Sequence, residues 1–120
     1  MERSEFEKLV REAIGRIPEA LGAYLENVDL VVEDWPGNEH LVGHVVEEGD
    51  FLLGLYEGVP LTERSDYGMV LPDKITLFQK SVEAICSTEE EIVEEVRNTV
   101  VHEVAHHFGI DDERLDELEA

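Results

Sequence analysis

Between Ser87 and Asp112 the chain reads S-T-E-E-E-I-V-E-E-V-R-N-T-V-V-H-E-V-A-H-H-F-G-I-D-D, and no other stretch constrains the fold as tightly. Ser87-x-x-Glu90 and Thr88-x-x-Glu91 are overlapping capping boxes, in which a hydroxyl accepts from an early helical N–H and a carboxylate reaches back. Glu89, Glu90 and Glu91 place negative charge at the positive end of the helix dipole. Ile92, Val93, Val96, Val100, Val104 and Phe108 then recur at helical spacing as one broad apolar stripe. A helix patterned in this way needs a layer to cover, so the remaining chain has to supply one. Gly109 stands where a left-handed residue ends the helix.

The opposite side of this helix carries the chemistry. His102 and His106 are four residues apart, so their imidazoles stack on one face and can address a single ion. Glu103 lies beside them in H-E-x-x-H, the spacing in which two histidines hold zinc and the glutamate is general base for the water that the ion acidifies. The pattern extends to H-E-x-x-H-x-x-G-x-x-D. A turn at Gly109 returns the chain so that Asp112 can act as third ligand, with a fourth position left for water. Asp111 and Asp112 both precede a short helical segment, Glu113–Leu118; one of the two can cap it while the other ligates, and Asp112 is the expected ligand. His107 projects about 100° round from His106, within the stripe, and is expected to be a buried, hydrogen-bonded histidine outside the ligand set.

The preceding chain alternates in kind. Ser4-x-x-Glu7 is a capping box for a helix carrying Phe6, Leu9, Val10, Ala13, Ile14 and Ile17 on one side. Gly15 and Pro18 interrupt it, and a second helical segment runs to Leu25. Val28–Asp34 is β-branched and reads as a strand, Phe51–Tyr56 as a second and Lys74–Lys80 as a third, with one helical turn at Ser81–Ile85. The long glycine-containing loop Glu57–Gly68 is of the kind that lines a site. Tyr56, just before it, and Arg64 and Tyr67 within it are candidate contacts to a substrate or a developing oxyanion. His40 and His44 are also four apart, but Gly43 lies between them and nothing caps a helix there, so they read as solvated loop histidines. The sum is an α+β chain: a small mixed sheet of three or four strands, packed on an N-terminal helix and the C-terminal H-E-x-x-H helix, in one domain spanning residues 1–120.

Charge narrows the partners. A net charge of −21 repels phosphate backbones, which argues against nucleic acid, and attracts basic peptides or proteins; it also keeps a small protein soluble. No run of apolar residues is long enough for a membrane span, and the start M-E-R-S-E-F-E-K does not resemble a signal peptide, so a cytoplasmic protein is expected. The single Cys86 forms no internal disulfide and is expected to be a small buried hydrophobe.

H-E-x-x-H-x-x-G-x-x-D resembles the zincin metallopeptidases, in the branch where Asp replaces the third His of the metzincin pattern. More narrowly, the chain is similar to a family of small bacterial zincin-like metallopeptidases over nearly its whole length. The carriers are L-L-G-L-Y-E-G-V-P-L-T-E-R-S from Leu52 to Ser65, L-P-D-K-I-T-L-F from Leu71 to Phe78, and the segment from Thr99 through Leu115. The resemblance implies a minimal zincin-like fold and a zinc-dependent hydrolase of peptide bonds, with His102, His106 and Asp112 binding zinc and Glu103 as general base. Larger metzincins follow their third ligand with a methionine turn and a lower subdomain; here residues 113–120 follow, and Met1 and Met69 lie upstream. The alternative expectation is therefore a metal-binding zincin-fold protein without peptidase activity of its own. A third is a metal-dependent endoribonuclease with H-x-x-x-H-x-x-G-x-D-H, which Gly109 and Asp111 match but Glu103, Asp112 and the charge oppose.

Overall fold

The computed structural model describes residues 1–37, 52–58 and 73–119. Helix α1 (Arg3–Gly15) leads to α2 (Glu19–Gly22) and a 3-10 turn (Ala23–Leu25), then strand β1 (Val28–Glu33). Strands β2 (Gly54–Glu57) and β3 (Asp73–Phe78) follow, then α3 (Gln79–Ile85), α4 (Glu89–Phe108) and α5 (Asp112–Glu119). The strands form one mixed sheet in the order β1-β3-β2. β1 runs parallel to β3, from Val28 opposite Asp73 to Glu33 opposite Phe78. β2 is antiparallel to β3, from Gly54 opposite Leu77 to Glu57 opposite Lys74. This is the α+β architecture expected from the sequence.

The core lies where α1 and α4 meet each other and the sheet. Phe6, Leu9, Val10 and Ala13 of α1, Ile75 and Leu77 of β3, and Val82 of α3 form one cluster with the stripe of α4. Val101 and Ala105 are buried as well, so the apolar side of α4 is wider than the stripe read from the sequence. Cys86 is half-buried against this cluster. Burial pushes its thiol pKa up, as do the nearby carboxylates of Glu95 and Glu91.

Three boundaries differ from expectation. α1 begins at Arg3, with Glu2 in the cap position and no side-chain cap, so Ser4 lies inside the first turn. The third strand stops at Phe78, and Gln79 and Lys80 belong to α3, which runs two turns. The second strand begins at Gly54, and Phe51 lies outside the described residues.

Two arginines hold the helices in place. Arg3 donates to Gln79 Oε1 at 2.8 Å, the Val32 carbonyl at 2.6 Å and Asp34 Oδ1 at 2.7 Å, tying the start of α1 to the end of β1 and the start of α3. Arg16, just past α1, reaches Glu90 at 2.6 Å and Glu94 at 2.8 Å on α4, and Glu12 at 3.0 Å on its own helix. The guanidinium holds the Glu90 carboxyl below its ordinary pKa, and Glu90 and Glu94 push the arginine's pKa up. A carboxyl whose folded pKa is lowered contributes stability above the ordinary carboxylate range, and loses it as pH falls through the lowered value. Arg16→Ala is therefore expected to lower the melting temperature near neutral pH. The difference from wild type should shrink both in high salt and in acid, which thermal melts across pH and ionic strength would check.

Candidate active site

α4 is held at both ends by the devices visible in its sequence. Thr88 is the N-cap, its hydroxyl accepting from the Glu91 N–H at 3.1 Å. At the other end Gly109 adopts φ 67° and ψ 31°, a left-handed conformation that glycine takes without a Cβ penalty. The Gly109 and Ile110 N–H groups both donate to the Ala105 carbonyl, Ile110 at 2.8 Å. The next turn is capped by Asp111, whose Oδ1 accepts from the Arg114 N–H at 2.8 Å. Asp112 is the first residue of α5 and is exposed. Asp111 thus takes the capping role and Asp112 is left out of it.

β2 crosses this helix at very close range. A Cβ built on Gly54 would stand 2.7 Å from Thr99 Cγ2 and 3.1 Å from the Thr76 carbonyl oxygen, so only glycine lets the strand backbone come so near. The Phe78 N–H donates to the Leu53 carbonyl at 2.9 Å, which makes Leu53 a bonded position of the antiparallel ladder. Bonded and non-bonded positions alternate, so Gly54 and Tyr56 turn their own main-chain groups away from β3. The Tyr56 N–H uses that direction to reach α4. It donates to Glu103 Oε1 at 2.9 Å, one helical turn beyond Thr99.

The Tyr56 side chain is held as firmly as its backbone. Its hydroxyl donates to Asp73 Oδ2 at 2.6 Å, and its ring stacks on His107 with centroids 3.9 Å apart. His107 is therefore not the buried histidine expected from the helical wheel: its side chain is 37% exposed, with Nε2 4.0 Å from Asp73 Oδ2. Phe108, assigned to the apolar stripe, is 43% exposed and meets Tyr24 at 4.9 Å and Tyr56 edge-on at 5.9 Å. The core ends near Ala105, and the last turn of α4 packs against β2 and the 3-10 turn instead.

Leu55, Tyr56, Glu103, His106 and His107 line a cleft of about 340 Å³. Glu103 is half-buried in its wall, while His102 and His106 are exposed, one turn apart on one face of α4. Among the described residues, no three His, Cys, Asp or Glu side chains are drawn together as a metal-binding group. The donor set nevertheless fits zinc in its chemistry: two exposed imidazoles at i and i+4 with a carboxylate between them in sequence, and Asp112 just beyond the Gly109 turn and free of capping duty. Tyr56 lines the cleft with its hydroxyl turned to Asp73. Arg64, Tyr67, His40 and His44 lie outside the described residues.

Residues 25–120, which include this cleft and the whole motif helix, match the model of the zincin-like metallopeptidase family. The chain belongs to that family. A solved structure of a conserved hypothetical protein from Thermus thermophilus is similar in fold, with a TM-score of 0.57 at 23% identity over 90% of this chain and 94% of that one. No curated protein matches the sequence. Among the described residues of this zincin-like chain, no helix is long and apolar enough to cross a membrane.

Asp73 and Gly54 were not singled out by sequence reasoning. A glycine inside an apolar strand run is itself a sign of close backbone approach, whereas nothing local marks Asp73. Gly54→Ala is expected to destabilise the domain by about 1–3 kcal/mol in urea unfolding, because Thr99 and the Thr76 carbonyl must give way. Thr99→Ser, which removes the colliding methyl, should recover part of that loss.

Proposed function

We propose that the protein is a zinc-dependent peptidase in which His102 and His106 hold the metal, Asp112 completes the ligand set and Glu103 is the general base. The observation that carries this reading is the placement of Glu103, half-buried beside His106 in the cleft wall with one oxygen held by the Tyr56 amide. Proton transfer is assigned to the second carboxylate oxygen. When bound, zinc supplies Lewis acidity, lowering the pKa of a water toward neutrality and polarising a carbonyl. Glu103 takes a proton from the attacking water and passes it to the leaving amine, so that neither a hydroxide nor an amide anion has to form free in solution.

A substrate placement is supported by β2, an outer strand of the described sheet that lies along the cleft. An extended peptide added beside it would bond to outward-turned main-chain groups other than the Tyr56 N–H, which Glu103 holds, while Leu55 offers apolar contact. The net charge of −21 favours basic peptides and disfavours RNA, which weighs against the ribonuclease alternative.

Glu103→Ala is expected to keep its zinc and to lose about 10²–10⁴-fold in peptide cleavage. Full cleavage by that variant would remove Glu103 from the role of base. His106→Ala should lose stoichiometric zinc in a metal analysis of purified protein. A wild type that is fully zinc-loaded yet turns over no peptide or denatured protein would point instead to a metal-binding protein of zincin fold.

A further inference from the structure

Tyr56 joins two carboxylates that belong to different elements. Its main-chain N–H holds Glu103 Oε1 on α4 at 2.9 Å, and its hydroxyl donates to Asp73 Oδ2 at the start of β3 at 2.6 Å. Between them the ring lies on His107 at 19° between planes. The same Asp73 oxygen that accepts from the phenol lies 4.0 Å from His107 Nε2, so one carboxylate faces both stacked rings. Gly58 completes the fit: a Cβ there would stand 3.2 Å from His107 Cε1, and its absence lets the chain leave β2 past the imidazole.

This arrangement is more than a staple between strands. Tyr56 stands opposite Ile75 in the ladder, so its side chain reaches along the sheet to meet Asp73. Ring and amide share one Cα, and side-chain torsions occupy discrete staggered wells. The ladder sends the amide outward, and fixing the ring at its hydroxyl and its face narrows the swing left to that amide. Glu103 is the recipient of that direction. We infer that Asp73, through the Tyr56 hydroxyl, and His107, through the Tyr56 ring, are positioning residues that set the Tyr56 amide and with it the orientation of the Glu103 carboxylate. Neither touches the reacting atoms. The structural part of the inference stands on the contacts alone; its kinetic part rests on the peptidase reading of Glu103, for which a small misplacement of the base costs rate.

The test uses isotope-labelled full-length protein and reads the position-56 amide by NMR, as proton shift and exchange rate, with the amides of buried Val96 and Val100 as controls. In Tyr56→Phe and in Asp73→Ala, exchange at position 56 is expected to rise about tenfold, with its proton shift moving toward that seen in Glu103→Gln, while the controls stay protected. The double variant should exchange no faster than either single one. Asp73→Asn, whose side-chain oxygen still accepts from the phenol, should restore most of the protection. His107→Phe, which keeps a flat ring, should retain it and His107→Ala should not. In parallel, kcat for peptide cleavage should fall about tenfold in the two disrupting variants with KM unchanged. An unmoved position-56 amide in both, or exchange that rises only in step with Val96 and Val100, overturns the inference; so does an additive double variant. Should Asp73→Ala fail to fold, Tyr56→Phe alone decides. If wild type cleaves no peptide, the exchange measurements still decide the brace and the peptidase reading fails separately.

Discussion

The site depends on one close approach, that of β2 to α4 at Gly54. A strand backbone can bond to a side chain of a neighbouring helix only if nothing holds the two apart, and a Cβ at Gly54 would meet Thr99 at 2.7 Å. With that contact possible, the alternation of the antiparallel ladder sends the Tyr56 N–H outward to Glu103, two residues along the strand and one turn along the helix. The half-buried carboxylate thereby has a fixed donor on one oxygen. Left unpaired at the same depth, it would carry a desolvation cost that a rotation into water would relieve.

The rest of the scaffold works against its own charge. Lys and Arg together number 9 against 30 Asp and Glu, so repulsion between elements is the default and each cation matters by its position. Arg3 joins α1 to β1 and α3, and Arg16 joins α1 to the first turns of α4. Arg97 of α4 reaches Glu119 at 3.1 Å and so ties the far end of α5 back to the motif helix. Arg3 and Arg16 bridge elements distant in sequence, where a lysine would offer a single point of charge and not a fork.

How much of this could be read from the sequence depends on the range of the interaction. The limits of α4 were legible because Thr88 and Gly109 act within one turn of themselves, and the architecture because the apolar periods change from helical to alternating along the chain. His102, Glu103 and His106 were legible because ligand spacing on a helix is a local matter. The partners of Glu103 were not, since Tyr56 lies 47 residues from it and Asp73 lies 17 from Tyr56. His107 was misplaced for a different reason. A helical wheel assumes that the core accompanies the helix to its end, whereas α4 outruns the core by its last turn and β2 takes over the packing there.

The core also bears on where this protein stops being divisible. The family match begins at residue 25, beyond the whole of α1, yet Phe6, Leu9, Val10 and Ala13 are packed into the same cluster as the stripe of α4. Tyr24, one residue before the match, supports Phe108 beside the cleft. A chain cut to the matched span would keep every motif residue and lose one wall of its interior, leaving the valines of α4 facing water. The limits of recognisable kinship and the limits of cooperative folding therefore fall at different places, and a fragment chosen by the first would be expected to aggregate before it could be assayed.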